Sequence, residues 1–126
     1  PIQKNAKEWC EAYAAEVKNG HATLYKGLND DFSTDNARRN GLSYKVGQEV
    51  IAPDWDAGKA ECGGGLHFSP RASMTLEFND SAKRFVACQV SLKDMRKPAK
   101  GDTYQQKIKA RACKVLSEVN RRSQAI

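Results

Sequence analysis

The segment Gly63-Gly64-Gly65-Leu66-His67-Phe68-Ser69-Pro70 constrains this 126-residue chain more than any other. Three successive glycines release the backbone for sharp bends and close approach, and they interrupt any regular helix or strand. Leu66-His67-Phe68 then reads as a short strand, in which alternation sends His67 to the face opposite Leu66 and Phe68. Ser69-Pro70 is a helix start, with serine as N-cap and proline at the first helical position; the helix runs to about Phe78 and closes at Asn79-Asp80. A histidine between a glycine loop and a helix N-terminus suits a phosphate or carboxylate, because backbone N–H groups and the helix dipole face the ligand. The alternative is a strand histidine hydrogen-bonded to a neighbour.

Around this segment the chain reads as one α+β domain over 1–126. Trp9, Tyr13 and Val17 recur at four-residue spacing, which predicts an N-terminal helix over 6–18, within residues 1–20, ended by Asn19-Gly20. Ala22 to Gly27 reads as a strand stopped by glycine, and 28–41 as a long polar loop. A strand pair is expected at Leu42–Tyr44 and Gln48–Ala52, then a loop carrying Trp55 between Asp54 and Asp56. Arg84–Leu92 is apolar on both faces, as in a strand buried on both sides. In Tyr104–Val119, Ile108, Ala110 and Ala112 alternate like a strand, while Ile108, Ala112, Leu116 and Val119 fit a helix; the strand is preferred because no cap precedes the segment. The expected architecture is a small mixed or antiparallel sheet of about five or six short strands, with the N-terminal helix and a helix after the glycine–histidine strand.

Charge is unevenly distributed. Residues 1–60 hold 8 Lys/Arg and 9 Asp/Glu, whereas residues 83–126 hold 12 and 3. The Lys83–Arg122 region therefore favours nucleic acid or an acidic protein, unless its charges are simply solvated, and 120–126 reads as a basic tail. No apolar run approaches the roughly 18 residues that cross a membrane, and no signal-peptide pattern opens the chain. A cytoplasmic protein, in a bacterial or phage-infected cell, or a delivered effector is expected. Cys10, Cys62, Cys88 and Cys113 are widely spaced, without the paired ligands of a zinc site, so no metal and no disulfide framework is expected. A nucleophilic Cys62–His67 pair would require the glycine bend to bring the two together.

Three motifs carry a resemblance: Leu24-Tyr25-Lys26-Gly27, Tyr44-Lys45-Val46-Gly47, and Gly65-Leu66-His67-Phe68-Ser69-Pro70. Together they are similar to an uncharacterised family of small bacterial and bacteriophage domains, over most of residues 23–119. More distantly the chain resembles the ADP-ribosyltransferase fold. There a first strand ends in a basic residue and Gly, a G-x-G-[IL]-Y-F-[ST] strand leads into a helix, and a late strand presents a catalytic Glu. The resemblance implies NAD, with Tyr25, Lys26, Gly27, Gly65 and Ser69 around it and His67 in place of the Tyr that stacks on nicotinamide. Gln105-Gln106 stand where acids are wanted, which leaves Glu118, the only glutamate after Glu77, to join His67 as a catalytic residue.

Two function classes follow. One is an NAD-utilising ADP-ribosyltransferase-like module, a toxin, effector or phage-encoded protein that modifies a protein or nucleic acid. The other is a non-catalytic binding or structural module acting through the basic C-terminal third. A small ribonuclease, with His67 and Lys26 or Arg71 at a phosphate, is a third arrangement.

Overall fold

A computed structural model describes residues 5–34, 42–56, 61, 64–96 and 101–126. Cys62 and Gly63, residues 35–41 of the long polar loop, and the tip of the Trp55 loop at 57–60 lie outside the described residues.

Helix α1 spans Ala6–Ala12, with Asn5 as N-cap. The Asn5 side chain accepts from the Glu8 N–H at 2.8 Å and the Glu8 carboxylate accepts from the Asn5 N–H at 3.2 Å, so two orphan donors are satisfied reciprocally. The helix is shorter than its apolar spacing predicts. Ala14 turns left-handed (φ 55°), and the Ala15 N–H reaches back to the Cys10 carbonyl at 2.8 Å, a Schellman closure. The chain leaves as β1 (Val17–Lys18), and Asn19-Gly20 does a different job from the expected helix cap. Both residues have positive φ (52° and 76°) and form a two-residue hairpin turn into β2 (His21–Leu28).

After β2 come β3 (Glu49–Ile51), β4 (Leu66–Phe68), a six-residue 3₁₀ helix (Ala72–Glu77), β5 (Arg84–Ser91), β6 (Ile108–Ala110) and β7 (Ala112–Val119). All pairings are antiparallel, in a five-stranded sheet ordered β1-β2-β5-β7-β3 and a two-stranded sheet β4-β6. A backbone bridge joins the sheets: the Tyr25 N–H donates to the Ser69 carbonyl (2.9 Å) and the Ser69 N–H to that of Tyr25 (3.0 Å). This is the expected small α+β fold, and 104–119 does contain strands. Leu42–Tyr44 forms no strand, only a Ser33–Ser43 bridge.

The five-stranded sheet has apolar residues on both faces. One face, with Leu24 and Leu28 of β2, Val86, Cys88 and Val90 of β5 and Val115 of β7, packs against Leu66, Phe68, Ile108 and the buried Trp9 of α1. The Trp9 indole N–H donates to the Gln105 carbonyl at 2.8 Å, so the ring is buried without an orphaned donor. On the other face Phe85, Ala87 and Val119 meet Ala72 and Leu76 of the 3₁₀ helix. Strand β5 therefore has both faces covered, as its sequence indicates.

Candidate functional site

Alternation along β2 places Lys26 on the main-core face, between Leu24 and Leu28, and Tyr25 on the face of the 3₁₀ helix. A long amine on a core face must find acceptors or leave the core. The Lys26 ammonium donates to the His67 backbone carbonyl at 2.7 Å and lies 5.3 Å and 5.7 Å from the ring centres of Tyr44 and Phe68. A carbonyl dipole and two aromatic rings thus help to hold the charge.

This contact forms one wall of a cleft of about 420 Å³. Tyr25, Lys26 and Gly27 of β2 line it together with His67, Phe68 and Ser69, more than 40 positions further along the chain. Thr75 and Phe78 from the 3₁₀ helix and its cap, the Asn79–Ser81 turn, Thr34, and Lys107 ahead of β6 complete the lining. Gly27 is required where the helix crosses β2: a Cβ there would lie 2.8 Å from Thr75 Oγ1 and 3.0 Å from Ala82 Cβ. Among the described residues the lining carries two lysines and one carboxylate, Asp80, a balance that favours an anionic ligand.

The structure brings five expected residues together, Tyr25, Lys26, Gly27, His67 and Ser69, and leaves two aside. Gly65 is not part of the cleft lining. It has φ +149°, and a Cβ on it would stand 2.5 Å from Lys109 Cγ and 3.1 Å from Trp55 Cζ3; a Cβ on Gly64 would stand 2.0 Å from the Asp54 carbonyl oxygen. These glycines admit the 53–56 loop and the buried Lys109 side chain instead of cradling an anion. Glu118 sits on β7 opposite Val86, and both its oxygens accept from Arg84 Nη1 at 3.1 Å. Arg84 in turn donates to the Asp30 carbonyl and lies 4.7 Å from the Phe32 ring centre. The Glu118 carboxylate is committed to this cluster and does not join His67 at the cleft.

The expected helix N-terminus beside His67 is also absent. Ser69 is buried in the bridge to Tyr25, Arg71 caps the 3₁₀ helix, and the Ala72 N–H is closed by the Ser123 hydroxyl of the C-terminal turn at 2.8 Å. The basic stretch is partly neutralised as well: Arg84, Arg96 and Lys109 are ion-paired with Glu118, Asp102 and Asp56. The cleft residues not anticipated are Thr75, Phe78, Asp80 and Lys107. Asn79-Asp80 signalled only a turn, and Lys107 one more charge in a basic region.

Cys10, Cys88 and Cys113 are buried free thiols. Burial pushes Cys10 up to about 11, helped by the Glu11 charge. The Cys88 and Cys113 thiols share a hydrogen bond across β5 and β7; that bond and burial hold Cys88 above the ordinary range. Among the described residues no group of three or more His, Cys, Asp or Glu side chains could hold a metal ion, and no helix is long and apolar enough to cross a membrane.

Comparison with known proteins adds a family. No curated protein and no solved structure matches the chain. A family model described as a domain of unknown function, DUF7666, matches residues 22–125, from the second residue of β2 to the C-terminal turn, and so takes in all the described cleft residues. The chain belongs to the DUF7666 family.

Proposed function

We propose that this domain is an ADP-ribosyltransferase-like module that binds NAD in the cleft between β2, β4 and the 3₁₀ helix. The supporting observation is the Tyr25–Ser69 bridge, which brings the Tyr-Lys-Gly motif and the His-Phe-Ser motif to one cavity from distant parts of the sequence. At about 420 Å³, and with two lysines to one carboxylate among its described lining residues, the cleft suits a nucleotide in size and charge. Lys26, oriented by the His67 carbonyl, would face a carbonyl or phosphate oxygen, and His67 would present its ring to a planar group. Bound NAD supplies a transferable ADP-ribosyl group. Among the described residues Asp80 is the carboxylate in the cleft lining, whereas Glu118 serves the fold. The motif resemblance supports a bacterial or bacteriophage setting, with a protein or nucleic acid as acceptor.

Calorimetry with NAD tests this. A ligand at a hundred times its Kd stabilises a folded protein by about 2.7 kcal/mol, so NAD should also raise the melting temperature. His67→Ala should weaken binding about tenfold or more, and Glu118→Gln should leave it unchanged. Absence of binding by the unmodified protein, or equal affinity in His67→Ala, overturns the reading.

A second reading has its own observation. The Ala72–Ser123 hydrogen bond docks the C-terminal turn against the start of the 3₁₀ helix, which leaves Arg71, Arg121 and Arg122 exposed around that contact. Such a group suits nucleic acid, and its affinity should fall steeply with salt. Salt-independent binding, or binding undiminished when all three arginines are replaced by Gln, would remove it.

A further inference from the structure

Two of the buried thiols sit side by side on the face of the five-stranded sheet that packs the main core. Cys88 of β5 stands opposite Val115 of β7, and Cys113 lies two residues before Val115, so the pair is diagonal across neighbouring strands. Diagonal neighbours on one face of an antiparallel pair come within side-chain reach, and here a hydrogen bond joins the two sulfurs. The two thiols are not equivalent. Cys88 is wholly enclosed, whereas Cys113 is 6% exposed and borders a surface pocket of about 250 Å³ with Glu49, Ile51 and Lys114. Cys113 also pairs with Val50 of β3, a three-residue strand at the edge of the sheet. So short an edge strand opens at lower cost than the central strands, and its opening uncovers Cys113 before Cys88. The hydrogen bond from Cys88, joined by the Lys26 charge and the Val50 N–H, holds the Cys113 thiol below its ordinary range despite its burial. Cys113 is thus the more reachable sulfur and the one more readily ionised.

We propose that Cys113 and Cys88 form a redox modification site, in which a hydroperoxide oxidises Cys113 and Cys88 resolves the product to a disulfide. The Cys113 thiolate attacks one peroxide oxygen; the O–O bond breaks, the other oxygen leaves with a proton as water or an alcohol, and Cys113 becomes a sulfenic acid. The Cys88 sulfur gives up its proton and attacks the Cys113 sulfur; the S–O bond breaks and that oxygen leaves as water. The two thiols together lose two electrons, the hydroperoxide gains them, and no other reactant is consumed. The diagonal placement supplies the second step, because the resolving thiol already touches the sulfur it must attack. Neither cysteine belongs to the described lining of the cleft, so the site stands apart from the nucleotide reading.

Hydrogen peroxide added to the folded, unmodified chain tests the proposal, with a catalase quench, alkylation of the remaining thiols under denaturing conditions and peptide mass mapping. A linked pair of peptides carrying Cys88 and Cys113 is expected, lighter by two hydrogen atoms than the reduced pair, with both thiols lost to alkylation. Dithiothreitol should restore both. In Cys88→Ala the sulfenic acid should persist at Cys113 and be trapped there by dimedone, whereas Cys113→Ala should give no dimedone adduct at Cys88. Mapping of the unmodified protein decides the question by itself if either variant fails to fold. Alkylation of Cys88 and Cys113 at undiminished yield after peroxide overturns the proposal. So does a disulfide that joins either of them to Cys10 or Cys62, or a dimedone adduct on Cys88 in place of Cys113.

Discussion

Lys109 of β6 and Asp56 of the Trp55 loop form an ion pair of unequal burial. The ammonium donates to Asp56 Oδ1 at 2.9 Å with its side chain 1% exposed, while the aspartate remains 35% exposed. Removing one partner of a buried pair is costly chiefly because the other is left uncompensated. Asp56→Asn strands a charge that water cannot reach, and should destabilise the fold by about 3 kcal/mol. Lys109→Met keeps the apolar stem under Trp55 and leaves an aspartate that can rehydrate, so it should cost less. Urea unfolding of the two variants decides; equal costs would show that the pair is solvated from both sides.

The glycine run is legible as close packing once Lys109 is in place. Gly65→Ala adds a methyl group 2.5 Å from Lys109 Cγ on a residue at φ +149°. It should cost about 2 kcal/mol, from backbone strain plus overpacking. A smaller loss in a Gly65→Ala/Lys109→Met double variant than the sum of the singles would locate the conflict in that contact.

Glu118 and Arg84 should behave as a structural pair. The Arg84 side chain is about one-third exposed, so Glu118→Gln should lower stability by no more than about 1 kcal/mol. Nucleotide affinity in the same variant should be unaltered. A large loss of affinity with normal stability would return Glu118 to the site.

Cys10 makes the fold sensitive to alkaline pH. Its folded-state value, raised from 9.0 to about 11, means that the unfolded chain releases the proton first. The contribution is fully present below pH 9 and is lost as pH rises toward 11. The melting temperature should therefore fall more steeply from pH 9 to 11 in the unmodified protein than in Cys10→Ala. Parallel profiles would assign the alkaline loss to other groups.

The left-handed Ala14 closing α1 is a place where the fold carries strain. Glycine there avoids the Cβ clash at φ 55°, partly offset by its extra freedom in the unfolded chain. Ala14→Gly should stabilise by about 0.5 kcal/mol, visible as a higher urea midpoint. A lower midpoint would show that the helix end is not strained.

Alternation made β2, β4 and β5 readable, and with them the two motifs that meet at the cleft. Where local and tertiary signals competed, the local reading failed. Val17 continues the apolar stripe of Trp9 and Tyr13, yet the Schellman closure at Ala15 ends the helix first, because Asn19-Gly20 is needed as a hairpin turn. Ser69-Pro70 has the composition of a helix start, but Ser69 is taken by its backbone bridge to Tyr25. Pairing between Arg84 and Glu118 joins residues 34 positions apart, and nothing in local sequence marks it. Phe78 likewise meets Tyr104 and Lys107 only through the fold.

Strand β7 pairs Val115 with Cys88 and Ser117 with Ala87, so Leu116 is surplus to the ladder. The surplus residue moves the apolar side chains of β7 from one core to the other, Val115 in the first and Val119 in the second. That phase change is why 104–119 fitted a helix and a strand at once. It also makes the chain length at this point adjustable: deleting Leu116 would leave every β5–β7 partner in place, whereas a deletion two residues later would shift Val119 from Phe85 to the place opposite Val86 that Glu118 holds. In β7, then, tolerance to the loss of a residue is set by position within the ladder rather than by exposure.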